Sequence, residues 1–168
     1  MKYKMFIALS VFTVIFCFAA YADWEGSVLP DGYTTESSLE KALQTARSRE
    51  KSVIVYYTRA NCPPCQILQS NLRREEIRRA YETHYVFTVV WGNGMNYSKR
   101  EAYRSQYKVK GAPTWIIYNR NGDYLCTSHG GFRNPDAGLK LHKQLQDAIS
   151  LEVPLNNQGP QNCSSLSG

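Results

Sequence analysis

Helical and strand-like patterns alternate along the first half of the chain. Four apolar residues recur at helical spacing over 39–46, after polar residues at 35–38 that can cap a helix. The β-branched and aromatic run 52–57 is typical of a buried strand. These patterns predict a helix that starts at Ser37 and ends near Glu50, followed at once by a strand.

The next segments predict a βαβ unit. Helical patterns over 66–72 and through 77–81 lead into a second apolar strand at 85–90. Two strands joined through helices in one sheet are parallel, and their crossover is right-handed. The strands 52–57 and 85–90 are therefore expected to lie parallel in one sheet.

The third part of the pattern ends in a hairpin. Ser98 can cap a helix over 98–107, and a strand follows at 114–118. Asn121-Gly122 is a strong hairpin signal, so 123–128 is expected to return as an antiparallel strand. The predicted fold class is therefore α/β, with a central mixed β-sheet flanked by helices.

A last helix and a polar end complete the predicted domain. Asn134 as N-cap and Pro135 at the first helical position begin this helix. We expect a single domain over 35–150, preceded by an N-terminal extension at 23–34. The polar segment 151–168, rich in Ser, Asn and Gly, predicts a flexible tail.

The first 22 residues have the pattern of a cleaved signal peptide. Lys2 and Lys4 provide a basic start, the stretch 5–18 is almost wholly apolar, and Ala20-Tyr21-Ala22 matches a cleavage site. The apolar run is shorter than the roughly 20 residues that a membrane-spanning helix needs. We therefore expect an exported protein, in the bacterial periplasm, that is not inserted in the membrane after cleavage.

Charge argues against a nucleic-acid partner. Removal of the leader takes away two of the 20 basic residues and leaves 18 against 14 acidic ones, a mild excess of 4. The arginines over 73–79 alternate with glutamates, which is typical of a solvated helix face. No nucleic-acid partner and no cofactor are expected.

Four cysteines remain after the leader, and two of them form a Cys62-Pro63-Pro64-Cys65 motif. The motif follows the predicted strand 52–57 and opens a helix. A cysteine there faces unpaired backbone N–H groups and the positive end of the helix dipole, which favour the reactive thiolate. Arg59 can add positive charge. We predict that Cys62 is the nucleophile and that Cys65 is the more buried, resolving thiol.

Other interpretations of the cysteines remain open. The motif could be a structural disulfide, although a short loop gains little from one. A zinc set of Cys62, Cys65, Cys126 and His129 is conceivable, but two strand residues three apart point to opposite faces. Four cysteines allow three connectivities, and Cys126 and Cys163 could also stay free; we favour a second disulfide between Cys126 and Cys163.

The order of elements, the CPPC at a strand-to-helix junction and the segment Gly111-Ala112-Pro113-Thr114 resemble the thioredoxin-like superfamily over residues 35–150. With the leader and the CPPC, the chain is most similar to periplasmic thioredoxin-like proteins related to the soluble domains of the Dsb system. The resemblance implies a cis peptide bond before Pro113. It also implies that Ala112 pairs with an extended substrate, beside an apolar groove partly formed by Trp115.

The sequence departs from thioredoxin at two positions. Asn61 stands where thioredoxin has a tryptophan before the first cysteine, and Tyr56 stands where it has a buried aspartate. The usual proton shuttle for the second thiol is therefore missing or comes from elsewhere. The redox potential of the Cys62/Cys65 pair therefore cannot be taken from thioredoxin.

The functional hypothesis is a thiol–disulfide oxidoreductase that exchanges a Cys62/Cys65 disulfide with the cysteines of exported proteins. Reduction or interchange is slightly favoured over oxidation. Its partners would be protein thiols or disulfides and a membrane-bound or soluble protein that recharges it. The alternatives are a non-catalytic binding or assembly module of an exported complex and a copper-handling thiol protein.

Overall fold

The computed structural model describes residues 28–150 and Cys163. A 3-10 turn, Gly92–Gly94, lies between the third strand and the fourth helix. In chain order the strands and α-helices are β1 (Thr35–Glu36), α1 (Leu39–Ser48), β2 (Ser52–Thr58), α2 (Pro63–Leu72), α3 (Glu75–His84), β3 (Tyr85–Trp91), α4 (Tyr97–Tyr107), β4 (Thr114–Tyr118), β5 (Tyr124–His129) and α5 (Pro135–Ser150).

The strands form one mixed sheet in the order β1-β3-β2-β4-β5. Strands β2 and β3 are parallel, with Ser52 opposite Tyr85 and Thr58 opposite Trp91. Strand β4 is antiparallel to β2, and β5 is antiparallel to β4. The α/β class, the parallel βαβ unit and the closing hairpin are confirmed.

The central strand β2 is buried on both faces, as its continuous apolar run predicts. Ile54 and Tyr56 point to a core that also contains residues of α2, α3 and α5. Val53 and Tyr57 point the opposite way, into a second core with residues of α1 and α4. The period of two along a strand therefore divides the helices into two layers around the sheet.

The start of the domain differs from the expectation. Thr35–Glu36 is not part of a helix cap but a short strand that pairs with β3. Helix α1 begins after Ser38, whose hydroxyl accepts a hydrogen bond from the backbone N–H three residues on. It ends at Ser48, and Glu50 has a left-handed φ of 54°. The helix therefore starts two residues after the predicted Ser37, whereas its C-cap at Arg49 agrees with the predicted end near Glu50.

The predicted N-cap of α4 was wrong, and that of α5 was correct. Asn96 caps α4 by accepting a hydrogen bond of 2.9 Å from the N–H of Lys99, so Ser98 lies inside the helix and is not its cap. Asn134 accepts an equivalent hydrogen bond of 2.9 Å at the start of α5, with Pro135 as the first helical residue. The N-cap and N1 assignments for this last helix are confirmed.

The described part of the predicted extension packs on the domain. Leu29 and Tyr33 are both buried, and the Tyr33 hydroxyl donates a hydrogen bond of 2.8 Å to the carbonyl of Leu72 at the end of α2. The predicted leader at 1–22 lies outside the described residues, as does the predicted tail at 151–168 apart from Cys163. Within residues 28–150, none of the helices combines the length and apolar character that crossing a membrane requires.

Candidate active site

Cys62 and Cys65 lie where strand β2 gives way to helix α2. They form a disulfide with their Cα atoms 5.2 Å apart. Cys62 is the N-cap residue of α2, and Cys65 belongs to its first turn. Cys62 is 3% exposed and Cys65 is 2% exposed. The sequence predicts that Cys65 is the more buried, but in this disulfide-bonded state the two residues are buried almost equally.

The two prolines reduce the number of amide donors that face the first sulfur. Pro63 and Pro64 have no backbone N–H, so the first such donor in α2 belongs to Cys65. This N–H lies 3.3 Å from the Sγ atom of Cys62 and donates to it. The sulfur therefore sits at the positive end of a helix with a single directed amide, an arrangement that favours the anion once the disulfide is reduced.

A cis-proline loop faces the disulfide. The Ala112–Pro113 peptide bond is cis, and the carbonyl oxygen of Ala112 lies 3.6 Å from the Sγ atom of Cys62. The Pro113 carbonyl accepts a hydrogen bond of 2.9 Å from the N–H of Gly130, just after β5. The loop that precedes β4 is therefore held against the first cysteine, although 50 residues separate them in the chain.

Trp115 does not form a substrate groove, and this part of the site prediction was wrong. Its side chain is fully buried. The indole ring contacts Tyr81, Phe87 and Phe132, with ring centroids 5.3 to 6.2 Å apart. Because Trp115 is opposite Tyr56 on β2, it shares the inward face that α3 and α5 cover.

Trp91 is the aromatic side chain that the sequence analysis missed. It is 38% exposed and lines a pocket of about 280 Å³ together with both cysteines, Arg59 and Gln69. Because β2 and β3 are parallel, their carboxyl ends meet at one edge of the sheet, and Trp91 pairs with the residue opposite it on β2. The end of the second predicted strand was thus a signal that could have identified it.

The pocket is flanked by further apolar surface on α2. Pro63 and Pro64 are exposed, and Ile67, one helical turn after Pro63, is 47% exposed. These side chains and Trp91 form an apolar surface next to the cysteines. They take the place of Trp115, which the resemblance implied would form part of that surface.

The two departures from thioredoxin have clear structural settings. Asn61 has a left-handed φ of 53°, a conformation that asparagine tolerates better than most residues. Tyr56 is fully buried, and its hydroxyl makes no hydrogen bond of standard geometry. Burial raises the pKa of Tyr56, and the nearby side chains of Thr58 and Gln69 only partly oppose that rise. The phenol therefore stays protonated at neutral pH and cannot replace a carboxylate base.

A second disulfide lies away from this site. Cys126 on β5 is joined to Cys163, with their Cα atoms 5.0 Å apart, and both residues are almost completely buried. The disulfide attaches Cys163 to strand β5 of the sheet. Cys126 is therefore bonded separately from Cys62 and Cys65.

The sheet order and the placement of the cysteine pair define a thioredoxin fold with a CxxC disulfide. The chain belongs to the family described as Thioredoxin-like domain, whose sequence model matches residues 39–146. A thioredoxin-like fold with this cysteine pair supports thiol–disulfide oxidoreductase activity in general. A comparison with curated proteins gave no match.

Solved structures share the fold at low sequence identity. A thioredoxin from Thermus thermophilus has a TM-score of 0.57 and 20% identity, over 70% of this chain and 90% of its own. A disulphide isomerase from Xylella fastidiosa Temecula1 has a TM-score of 0.55 and 17% identity, over 64% and 88%. The C-terminal domain of Neisseria meningitidis DsbD has a TM-score of 0.50 and 16% identity, over 62% and 91%. These similarities concern the fold alone.

Proposed function

We propose that this protein is a thiol–disulfide oxidoreductase that exchanges its Cys62–Cys65 disulfide with the cysteines of exported proteins. The observation that carries the proposal is the position of the Cys62 sulfur, at the start of α2 and 3.6 Å from the backbone of the cis-proline loop. A sulfur held there can react with a second chain that lies along the loop.

The exchange proceeds in two steps. In the reduced protein, the Cys62 thiolate attacks one sulfur of a substrate disulfide, and that bond breaks as a mixed disulfide forms. The departing substrate thiolate takes up a proton. The Cys65 thiolate then attacks the Sγ of Cys62, which closes the protein disulfide and releases the second substrate thiol. Two electrons pass from the protein to the substrate, and oxidation is the same sequence in reverse.

Ala112 is the proposed contact for the substrate backbone. An extended segment that pairs with this residue would bring its own cysteine to the sulfur of Cys62, because the two residues of the protein are already in contact. The exposed side chains of Trp91 and Ile67 would cover apolar parts of the substrate.

We place this activity outside the cytoplasm, in the bacterial periplasm, because the sequence pattern of residues 1–22 predicts a leader. Disulfides persist in that compartment. A membrane-bound or soluble partner would restore the redox state of the pair, with reduction or interchange of substrates as the favoured direction.

The test is a trapping experiment with Cys65→Ser. This variant retains the proposed nucleophile but lacks the thiol that resolves the mixed disulfide, so reductant-sensitive adducts to exported proteins should accumulate through Cys62. The matched control is the double variant with both cysteines replaced by serine. If the single variant traps no more protein than the double one, the proposed catalysis is refuted. A double variant with full biological function would favour a non-catalytic binding module.

A further inference from the structure

A second cavity, of about 490 Å³, is lined in part by Gly111 and Ala112, next to the cis-proline. We call it the basic cleft, and its charged lining residues are Arg59, Arg100, Arg104, Lys110 and Glu101. Ala112 also lines it. Arg59 also lines the pocket that contains both cysteines. The basic cleft and the pocket of the candidate active site therefore share Arg59 as a lining residue.

The charges of the basic cleft are not balanced within the described part of the chain. Glu101 is paired with Arg104 at 3.0 Å. Arg59, Arg100 and Lys110 make no ion pair with any described residue. Among the described residues, these three positive charges therefore have no negative partner beside the cis-proline loop.

Arg104 has a different part in the cleft. Besides Glu101, its guanidinium donates hydrogen bonds of 3.2 Å and 3.4 Å to the carbonyls of Val109 and Lys110. These bonds attach the segment before the cis-proline loop to α4. The cation of Arg104 is therefore used to build the cleft, whereas the other three remain available to a ligand.

The start of α4 adds to the positive character. Tyr97 and Arg100, in its first turn, both line the cleft, and that turn contains no acidic residue. The guanidinium of Arg100 lies 5.6 Å from the centre of the Tyr97 ring, and Tyr97 is 72% exposed. The positive end of the helix therefore adds to the positive potential of the cleft, and the ring of Tyr97 stabilises the guanidinium of Arg100 beside it.

We propose that the basic cleft binds acidic residues of the protein substrate close to its reacting cysteine. This inference rests on the proposed function, because it needs an extended substrate segment along Ala112. Since Ala112 contacts the sulfur of Cys62 and also lines the cleft, a segment that reacts at the sulfur continues into the cleft. Carboxylates there meet Arg100 and Lys110, so the cleft selects acidic segments over basic ones.

The test compares three synthetic disulfide-bonded peptides that differ only at the positions flanking one cysteine, which are Glu, Gln or Lys. The rate constant for their reduction by the reduced protein is measured for each. Two contacts, one with the half-buried Arg100 and one with the exposed Lys110, predict that the Glu peptide reacts roughly three- to tenfold faster than the Gln peptide. The Lys peptide should be the slowest, and added salt should reduce the difference.

Variants of Arg100 and Lys110 identify the source of the preference. With Arg100→Gln and Lys110→Gln together, the ratio of Glu-peptide to Gln-peptide rates should approach one, and Glu at both positions should invert it. The ratio is taken within one variant, so a change in thiol reactivity cancels. The matched control, Lys140→Gln with Lys143→Gln on exposed parts of α5, makes the same charge change and should keep the wild-type ratio.

The outcomes separate this inference from the proposed function. Reduction of all three peptides at equal rates would overturn the acidic preference and leave the oxidoreductase proposal intact. A preference that survives in the Arg100 and Lys110 variants would also overturn the assignment to the cleft. Failure to reduce any peptide would overturn both proposals.

Discussion

The two disulfides close chain loops of very different size and should therefore contribute differently to stability. Cys126 and Cys163 are 37 residues apart, whereas Cys62 and Cys65 are three apart. We compare two double variants, one with both members of the first pair replaced by alanine and one with both members of the second pair replaced. Each variant deletes two buried sulfur atoms, so their packing costs are similar.

Loop closure sets the expected difference. In the chain-entropy account, a link across 37 residues removes enough freedom from the unfolded chain to contribute roughly 4 kcal/mol to the free energy of unfolding. A link across three residues contributes less than roughly 2 kcal/mol. The variant without the Cys126–Cys163 disulfide should thus be the less stable by about 2 kcal/mol.

The assay is equilibrium unfolding in urea without reductant, followed by far-ultraviolet circular dichroism. Mass spectrometry after alkylation verifies that each variant retains only its intended disulfide. Equal losses for the two variants, or a larger loss for the Cys62 and Cys65 variant, would refute the loop-closure argument. The expected ranking would separate a stabilising disulfide from one whose main role is exchange.

Three further substitutions test other parts of the structure. Pro64→Ala restores a backbone N–H near the sulfur of Cys62, so this thiol in the reduced protein should be alkylated several-fold faster at neutral pH; an unchanged rate would contradict the amide argument. Gly138→Ala would place a Cβ atom 2.8 Å from the Phe132 ring. The cost of overpacking, about 1–3 kcal/mol, should exceed the gain in helix propensity of about 1 kcal/mol. Urea unfolding should therefore show a lower free energy of unfolding for this variant. Burial, and to a smaller extent the neighbouring His84, lowers the pKa of His142 from its usual value of 6.5. On acidification His142 is therefore protonated in the unfolded chain before it is protonated in the folded protein, and the folded protein loses stability below about pH 6.5. His142→Phe should reduce this loss of stability between about pH 7.5 and 5, and an identical pH dependence would exclude His142 as a cause.

Elements with a local signal were predicted correctly from the sequence. The continuous apolar run of β2, the Asn121-Gly122 turn and the Asn134-Pro135 helix start each identify their structure without tertiary information. Strand β1 could not be found this way, because two residues carry no periodicity. It exists as a strand only through its pairing with β3.

The site was predictable to the extent that chain order determines it. Cys62 and Cys65 are marked by their place between a strand and a helix. The error at Trp115 has a physical origin: β4 is buried on both faces, so an apolar run does not show which side chains face the core on a given side. Trp91 could be identified only from the parallel pairing of β2 and β3. This pairing places Trp91, at the end of β3, beside the CPPC motif that follows the end of β2.

The surroundings of the cysteine pair contain two opposing electrostatic influences. The described residues that line its pocket include two arginines, Arg59 and Arg73, and no carboxylate, which favours thiolates and hence the reduced protein. The two prolines act in the opposite direction, because they remove amide donors from the start of α2.

Relative magnitudes decide between these influences. Both arginine side chains belong to exposed residues, and interactions of exposed charges are commonly worth about 0–1 kcal/mol. A hydrogen bond to a charged group contributes about 1.5–3 kcal/mol, so a missing amide near the sulfur outweighs a screened arginine. A reduced form that is less stabilised gives up its electrons more readily. The loss of amides at the CPPC motif therefore supports the proposed direction, reduction or interchange of substrate disulfides, relative to a helix start that retains all its amides.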